Sequence, residues 1–232
     1  MIIVVTATSR EMQSAFGAVG APAVEQGGTA EFSLGGHDLL LAVSGVGLVN
    51  TALAAGRLLA LPFVTGVVNL GIGGAYDVEE FPIGTSAYAW QETWPEYGLL
   101  DEEGRVDPKA IGFPQGEVRG KPVWNRVQLN PVNDAAAMGL SLPADCARGS
   151  FVTVSSVTGT PERSGWLKTA CNGDVENMEG FALAFGTMRA GLPFLQVRSV
   201  SNRVGSRQPE DWDLKGAFRT LGDLAPRLFL GK

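Results

Sequence analysis

"PFLQVRSVSN", residues 193–202, begins on a proline, runs through an apolar stretch and ends in hydroxyls and an amide. The run 193–201 reads as a strand, and its largely continuous apolarity places it in a sheet covered on both faces. Strand ends in α/β domains are where ligands usually sit. The chain spends Asn202 there, flanked by Ser201 and by Arg198, Arg203 and Arg207, so the end of this strand is a candidate site.

Working outward, "IIVVTA" (2–7), "DLLLAVS" (38–44), "GVVNLGI" (66–72), "TSAYAWQ" (85–91) and "SFVTVSS" (150–156) read as further strands. Helical patterns cover about 47–61, 131–140, 161–171, 178–190 and 213–228. In the last, Leu214, Ala217, Leu221, Leu224 and Leu228 recur at three- and four-residue steps, which turns one stripe to a core. Strands alternating with helices give an α/β fold. Between Trp94 and Pro131 the pattern dissolves into Pro, Gly and charge, too long for an ordinary connector, and reads as a functional loop or lid. No internal repeat or low-complexity tail interrupts the chain, so 1–232 reads as a single domain, of a size that buries its core without covalent staples.

The chain carries 18 basic and 24 acidic residues, a net charge of −6, which argues against nucleic acid as a partner. Local arginines still leave a small anionic ligand open. The start "MIIVVTATSR" has no signal-peptide pattern and no apolar run reaches the roughly 18 residues of a membrane span, so a cytoplasmic protein is expected, with no membrane partner. Cys146, Cys171 and His37 form no recognisable metal set, and no metal or cofactor is expected.

"SGVGLVNTALAAGRLL" (44–59) resembles the strand–glycine–helix start of a dinucleotide site, but Asn50 stands in place of the third glycine and no acidic residue follows at the ribose-binding distance. "NLGIGGAYD" (69–77) leads a strand into glycines, Gly71 and Gly73 among them, where backbone can approach a ligand; a plain turn explains it equally. Glu176 and Glu179 in "VENMEGFALAFG" (175–186), and Glu11 in "TATSREMQSAF", stand at helix starts, where the dipole favours carboxylates with no functional demand. Ser9 reads as the cap of the first helix. A serine-hydrolase triad is disfavoured, because no Gly-x-Ser-x-Gly occurs and His37 in "GGHDLL" reads as a hairpin turn.

Taken in order, Glu11 after the first strand, "SGVGLVNTA", "NLGIGGAY", "VTVSSV", "VENMEGFALA" and "VRSVSN" resemble the purine nucleosidases and phosphorylases that include methylthioadenosine/S-adenosylhomocysteine nucleosidase. Met178-Glu179-Gly180 with "VRSVSNRVGSR" and Trp212 is most similar to the branch that hydrolyses futalosine. The resemblance implies a three-layer α/β sandwich with a central mixed sheet flanked by helices, a homodimer, and cleavage of futalosine to hypoxanthine in menaquinone biosynthesis. Another purine nucleoside such as inosine or methylthioadenosine, phosphorolysis, and non-catalytic nucleoside binding remain the alternatives.

The resemblance also implies roles. Glu11 would be the base that activates water, Glu179 would grip the ribose hydroxyls, and Met178 would pack beneath the sugar. Gly71, Gly73, Ser201 and Arg203 would complete the substrate site. Asn177 departs from the nucleosidase pattern, which tends to place a second acid there, and Glu176 is the candidate to replace it. Water is expected as nucleophile because "TATSREM" offers no glycine for a phosphate loop and puts Glu11 in that region, with Arg10 beside it. Adenine-cleaving relatives carry an Asp where Asn202 stands; a 6-oxopurine presents acceptors, and an amide can donate to them. Futalosine carries a benzoate, for which Arg203, Arg207 and Arg163 are candidates, with the 94–114 loop closing over its ring through Trp94 or Phe113, from the same or a partner subunit.

Overall fold

The computed structural model describes residues 1–231. Nine strands form one mixed sheet: β1 (Ile2–Thr6), β2 (Thr29–Leu34), β3 (His37–Val43), β4 (Gly66–Ala75), β5 (Ser86–Thr93), β6 (Arg126–Gln128), β7 (Cys146–Thr153), β8 (Val175–Asn177) and β9 (Phe194–Arg203). Six helices accompany them: α1 (Ser9–Phe16), α2 (Leu48–Leu58), α3 (Pro131–Ala137), α4 (Pro161–Cys171), α5 (Gly180–Arg189) and α6 (Leu214–Leu230).

The continuous apolarity of β1, β3 and β4 has the cause the sequence implied. Val4, Leu39, Leu41, Val68 and Leu70 pack on Met12 and Phe16 of α1 and Leu221, Leu224 and Leu228 of α6. The alternate set, Ile3, Val5, Leu40, Ala42 and Val67, packs on Ala55 and Leu58 of α2 and Phe181 and Ala184 of α5. With period-2 side chains and helices on both faces, both faces of these strands are mainly apolar. This is the expected helix–sheet–helix layering, with one addition. The strand order is β6-β5-β7-β8-β4-β1-β3-β2, and β9 pairs with both β4 and β5, so one end of the sheet closes on itself.

The termini of elements differ from expectation in instructive ways. The strand expected over 150–156 runs over Cys146–Thr153. Helix α3 stops early because the chain turns left-handed at Gly139. Strand β2 escapes the apolar-run criterion because it lies at the sheet edge, with alternating exposure. It joins β3 through Gly35 and Gly36, both at positive φ as a two-residue hairpin turn requires. His37 follows that turn as the first residue of β3 and packs edge-on against Phe229. The stretch after Trp94 holds two short hairpins, Leu99–Leu100 with Val106–Asp107 and Gly116–Val118 with Lys121–Val123. Cys146 and Cys171 are buried free thiols, pushed up to about 12 and about 11 by burial.

Candidate active site

A cavity of about 350 Å³ opens where β1, β4 and β9 run out, the position expected for a ligand in an open α/β sheet. Glu11, Gly73, Glu176, Asn177, Met178, Glu179, Ser201 and Asn202 line it, with Arg10, Trp212 and Phe218 at the same space.

Glu11 reaches the cavity because the cap of α1 is Thr8, not Ser9: the Thr8 hydroxyl accepts from Glu11 N at 3.1 Å. In return Glu11 Oε2 accepts from Thr8 N and Thr8 Oγ1, both at 2.8 Å, completing a capping box. Its other oxygen, Oε1, accepts from Ile72 N of β4 at 3.1 Å. Three donors thus fix the carboxylate, leaving one lone pair of Oε1 unassigned. Burial raises the Glu11 pKa, helped by the negative Glu179 and opposed by Arg198 and by those hydrogen bonds. Gly71 lies beneath: a Cβ there would stand 2.6 Å from Glu11 Oε1 and strike Arg198 Nη1 as well. It makes room for both charged groups rather than lining the cavity.

Glu179 does not serve its own helix. Its Oε1 accepts from Gly47 N at 3.0 Å, so the glycine turn before α2, the dinucleotide-like feature, spends its free N–H on a protein carboxylate. Its Oε2 pairs with Arg198 Nη2 at 3.3 Å. Arg198 is fully buried on β9, and Nη2 also donates to Asn69 Oδ1 at 2.6 Å. Sequence reasoning passed over Arg198 as a site residue, although a charged side chain inside a buried strand was itself the signal.

Asn202 is aimed by a β-bulge. The register of β9 on β4 shifts between Val200 and Asn202, leaving Ser201 as the extra residue and setting Asn202 opposite Gly74. Ser201 Oγ lies 2.8 Å from Asn202 Oδ1 and 3.1 Å from Gly73 O. Asn202 Nδ2 donates to Arg203 O at 3.2 Å, which occupies one of its two hydrogens. An isolated bridge pairs Asn202 with Trp212, holding the indole at the mouth.

Other expected residues are placed elsewhere. Arg203 is exposed and pairs with Asp211 at 3.1 Å, so it does not line the cavity. Arg163 pairs with Glu96 at 2.8 Å, and Arg207 stacks on Trp212 from outside, its guanidinium 5.6 Å from the ring centre. The cation at the cavity is Arg10, 4.3 Å over the Phe218 ring, with no carboxylate paired to it among the described residues. Trp94 packs on Phe181 of α5, and Phe113 is exposed; neither lines the cavity of its own chain. Glu176 does line it, but both of its oxygens are committed, Oε2 to Tyr76 Oη at 2.9 Å and Oε1 to Thr158 N at 3.0 Å.

The model of the phosphorylase superfamily matches residues 2–228. The futalosine hydrolase of Streptomyces coelicolor is 33% identical over 98% of this chain and 94% of its own length. That of Thermus thermophilus is 29% identical over 80% of this chain and 78% of its own. Among solved structures, the Campylobacter jejuni 5'-methylthioadenosine/S-adenosyl homocysteine nucleosidase superposes with a TM-score of 0.73 at 19% identity, covering 99% of this chain and 96% of that one. Fold, span and identity agree: the chain belongs to the phosphorylase superfamily and, within it, to the family of futalosine hydrolases.

Proposed function

We propose that this chain is an N-glycosyl hydrolase that splits futalosine into hypoxanthine and dehypoxanthine futalosine, as a step of menaquinone biosynthesis. The observation that carries the reading is the placement of Glu11, fixed by Thr8 and Ile72 at one cavity with Glu179 and Asn202. A carboxylate held there repels phosphate and offers a lone pair to water. Water oxygen bonds to the anomeric carbon, the N-glycosidic bond breaks with its electron pair going to the purine, and Glu11 receives the water proton. Glu179 holds the ribose hydroxyls, and its charge with that of Glu11 stabilises the oxocarbenium-like state. The purine leaves as an anion stabilised by donors, Asn202 Nδ2 among them, and takes its proton from solvent. The experiment that tests the reading is product analysis on futalosine with and without phosphate.

Of the arginines near the mouth, Arg10 suits the carboxylate end of the substrate, since the other three candidates are paired or outside. Arg10→Ala should raise KM for futalosine about tenfold, one charge-assisted contact, while leaving KM for uncharged inosine unchanged. An equal change on both substrates would remove Arg10 from that role.

A homodimer fits an apolar face that adjoins the mouth. Val46 and Val157 line the cavity yet are 49% and 44% exposed, and they continue into Val49 and Leu53 of α2, which are 75% and 71% exposed. Exposed apolar surface of this kind is what a second copy covers. Light scattering at micromolar concentration should give twice the chain mass, and a monomer mass would exclude the arrangement.

A further inference from the structure

Glu92, on β5, has no exposed surface and does not reach the cavity. Its Oε1 accepts from Thr153 Oγ1 at 2.6 Å and from Asn177 Nδ2 at 3.1 Å. Those two bonds decide which way both partners face. With its hydrogen given to Glu92, the Thr153 hydroxyl presents a lone pair to Phe181 N at 2.8 Å. With its amide NH2 turned to Glu92, Asn177 presents Oδ1 to Glu179 N at 3.0 Å and Gly180 N at 2.7 Å. These are the free N–H groups that open α5, and a helix start buried without acceptors would not hold its place.

We propose that Glu92 is a positioning residue for the ribose site: through Thr153 and Asn177 it fixes the first turn of α5 and so aims Glu179 at the sugar. The inference rests on the reading of Glu179 as the ribose ligand. Protonation of Glu92 leaves this arrangement intact. Its second oxygen, Oε2, has no hydrogen-bond partner, and neither polar atom of the Gln196 amide has one. Both groups lie against Gly180, where a Cβ would stand 2.6 Å from Glu92 Oε2 and 2.5 Å from Gln196 Nε2. Burial pushes the Glu92 carboxyl up to about 7, against the pull of Thr153, Asn177 and Arg198. A proton on Oε2 can go to Gln196 Oε1, and Oε1 of Glu92 remains the acceptor for both relays. Glu92→Gln reproduces that protonated form, and Glu92→Met removes the acceptor at similar volume.

The test reads binding by calorimetry in the Glu11→Gln background, where turnover of the nucleoside is removed and wild-type position 92 is the reference, with inosine as the nucleoside and hypoxanthine as the free base, alongside Tm. Glu92→Met is expected to weaken inosine about tenfold and hypoxanthine less than twofold, and Glu92→Gln to restore inosine to within threefold of wild type. A purely structural role would lower Tm and leave both affinities of the folded protein alike. Equal loss on both ligands, no loss, or failure of Glu92→Gln to restore binding would overturn the proposal. Should Glu92→Met not fold, the near-isosteric Thr153→Val carries the same test: inosine weakened about threefold with hypoxanthine unchanged supports it, and unchanged inosine overturns it. Glu179→Gln is measured in parallel. If that variant shows no ribose-selective loss, the assignment of Glu179 to the ribose fails, and the failure is told apart from one of Glu92.

Discussion

Glu11→Gln should lower kcat about a thousandfold and leave substrate affinity within a few fold. A positioned general base contributes on the order of a hundred- to ten-thousandfold, and the amide keeps the shape while losing the base. The geometry sharpens the expectation. Both oxygens of Glu11 receive donors, from Thr8 and Ile72, so the new NH2 of Gln must face an N–H or O–H that needs an acceptor. One mismatch of that kind is worth about 1–3 kcal/mol, and Tm should fall with the rate. The pH profile separates the two effects. Because the Glu11 pKa is raised by burial, the base is lost as pH falls through a value above the ordinary 4.5, and the acid limb of kcat lies correspondingly high. In the variant that limb should vanish at every pH where the protein stays folded. A near-normal kcat would take Glu11 out of the mechanism.

Asn202→Asp changes what is cleaved more than how well. In the wild type one hydrogen of Nδ2 goes to Arg203 O and the other is left for the purine edge. A 6-oxopurine presents lone pairs there, so a carboxylate in place of the amide sets acceptor against acceptor. The loss is about 1–3 kcal/mol, or roughly one to two decades in rate on the oxo substrate. A protonated Asp can donate to the ring nitrogen of a 6-aminopurine and accept from its amino group. The ratio of kcat/KM on futalosine over aminofutalosine should therefore fall at least tenfold, and measuring both substrates on both proteins cancels general damage to the site. An unchanged or rising ratio would mean that Asn202 does not read that edge.

Much of the layering was legible because it depends on local period: buried strands are apolar throughout, and α6 shows its stripe. The charged interior was not. Asn69, Glu92 and Arg198 each interrupt a buried strand, and each finds its partners far away in sequence; Arg198 meets Asn69 across 129 positions and Asn177 meets Glu92 across 85. A single sequence shows that such residues need partners, not which ones. Asn202 and Glu11 were legible as candidates, yet the aim of one depends on a bulge at Ser201 and of the other on a cap at Thr8 rather than Ser9. The rim arginines were the least legible. Arg203, Arg163 and Arg207 sit beside counter-charges or an aromatic ring that only the fold brings near, and Arg10 is left facing the cavity.

The measurement that bears most directly on hydrolysis at Glu11 is product analysis of futalosine turnover by the purified chain in phosphate-free buffer and again with millimolar phosphate. Hypoxanthine should appear at the same rate in both, with the free sugar as co-product and no sugar 1-phosphate. A requirement for phosphate with accumulation of the 1-phosphate, or binding of futalosine with no release of hypoxanthine in either buffer, would contradict the account.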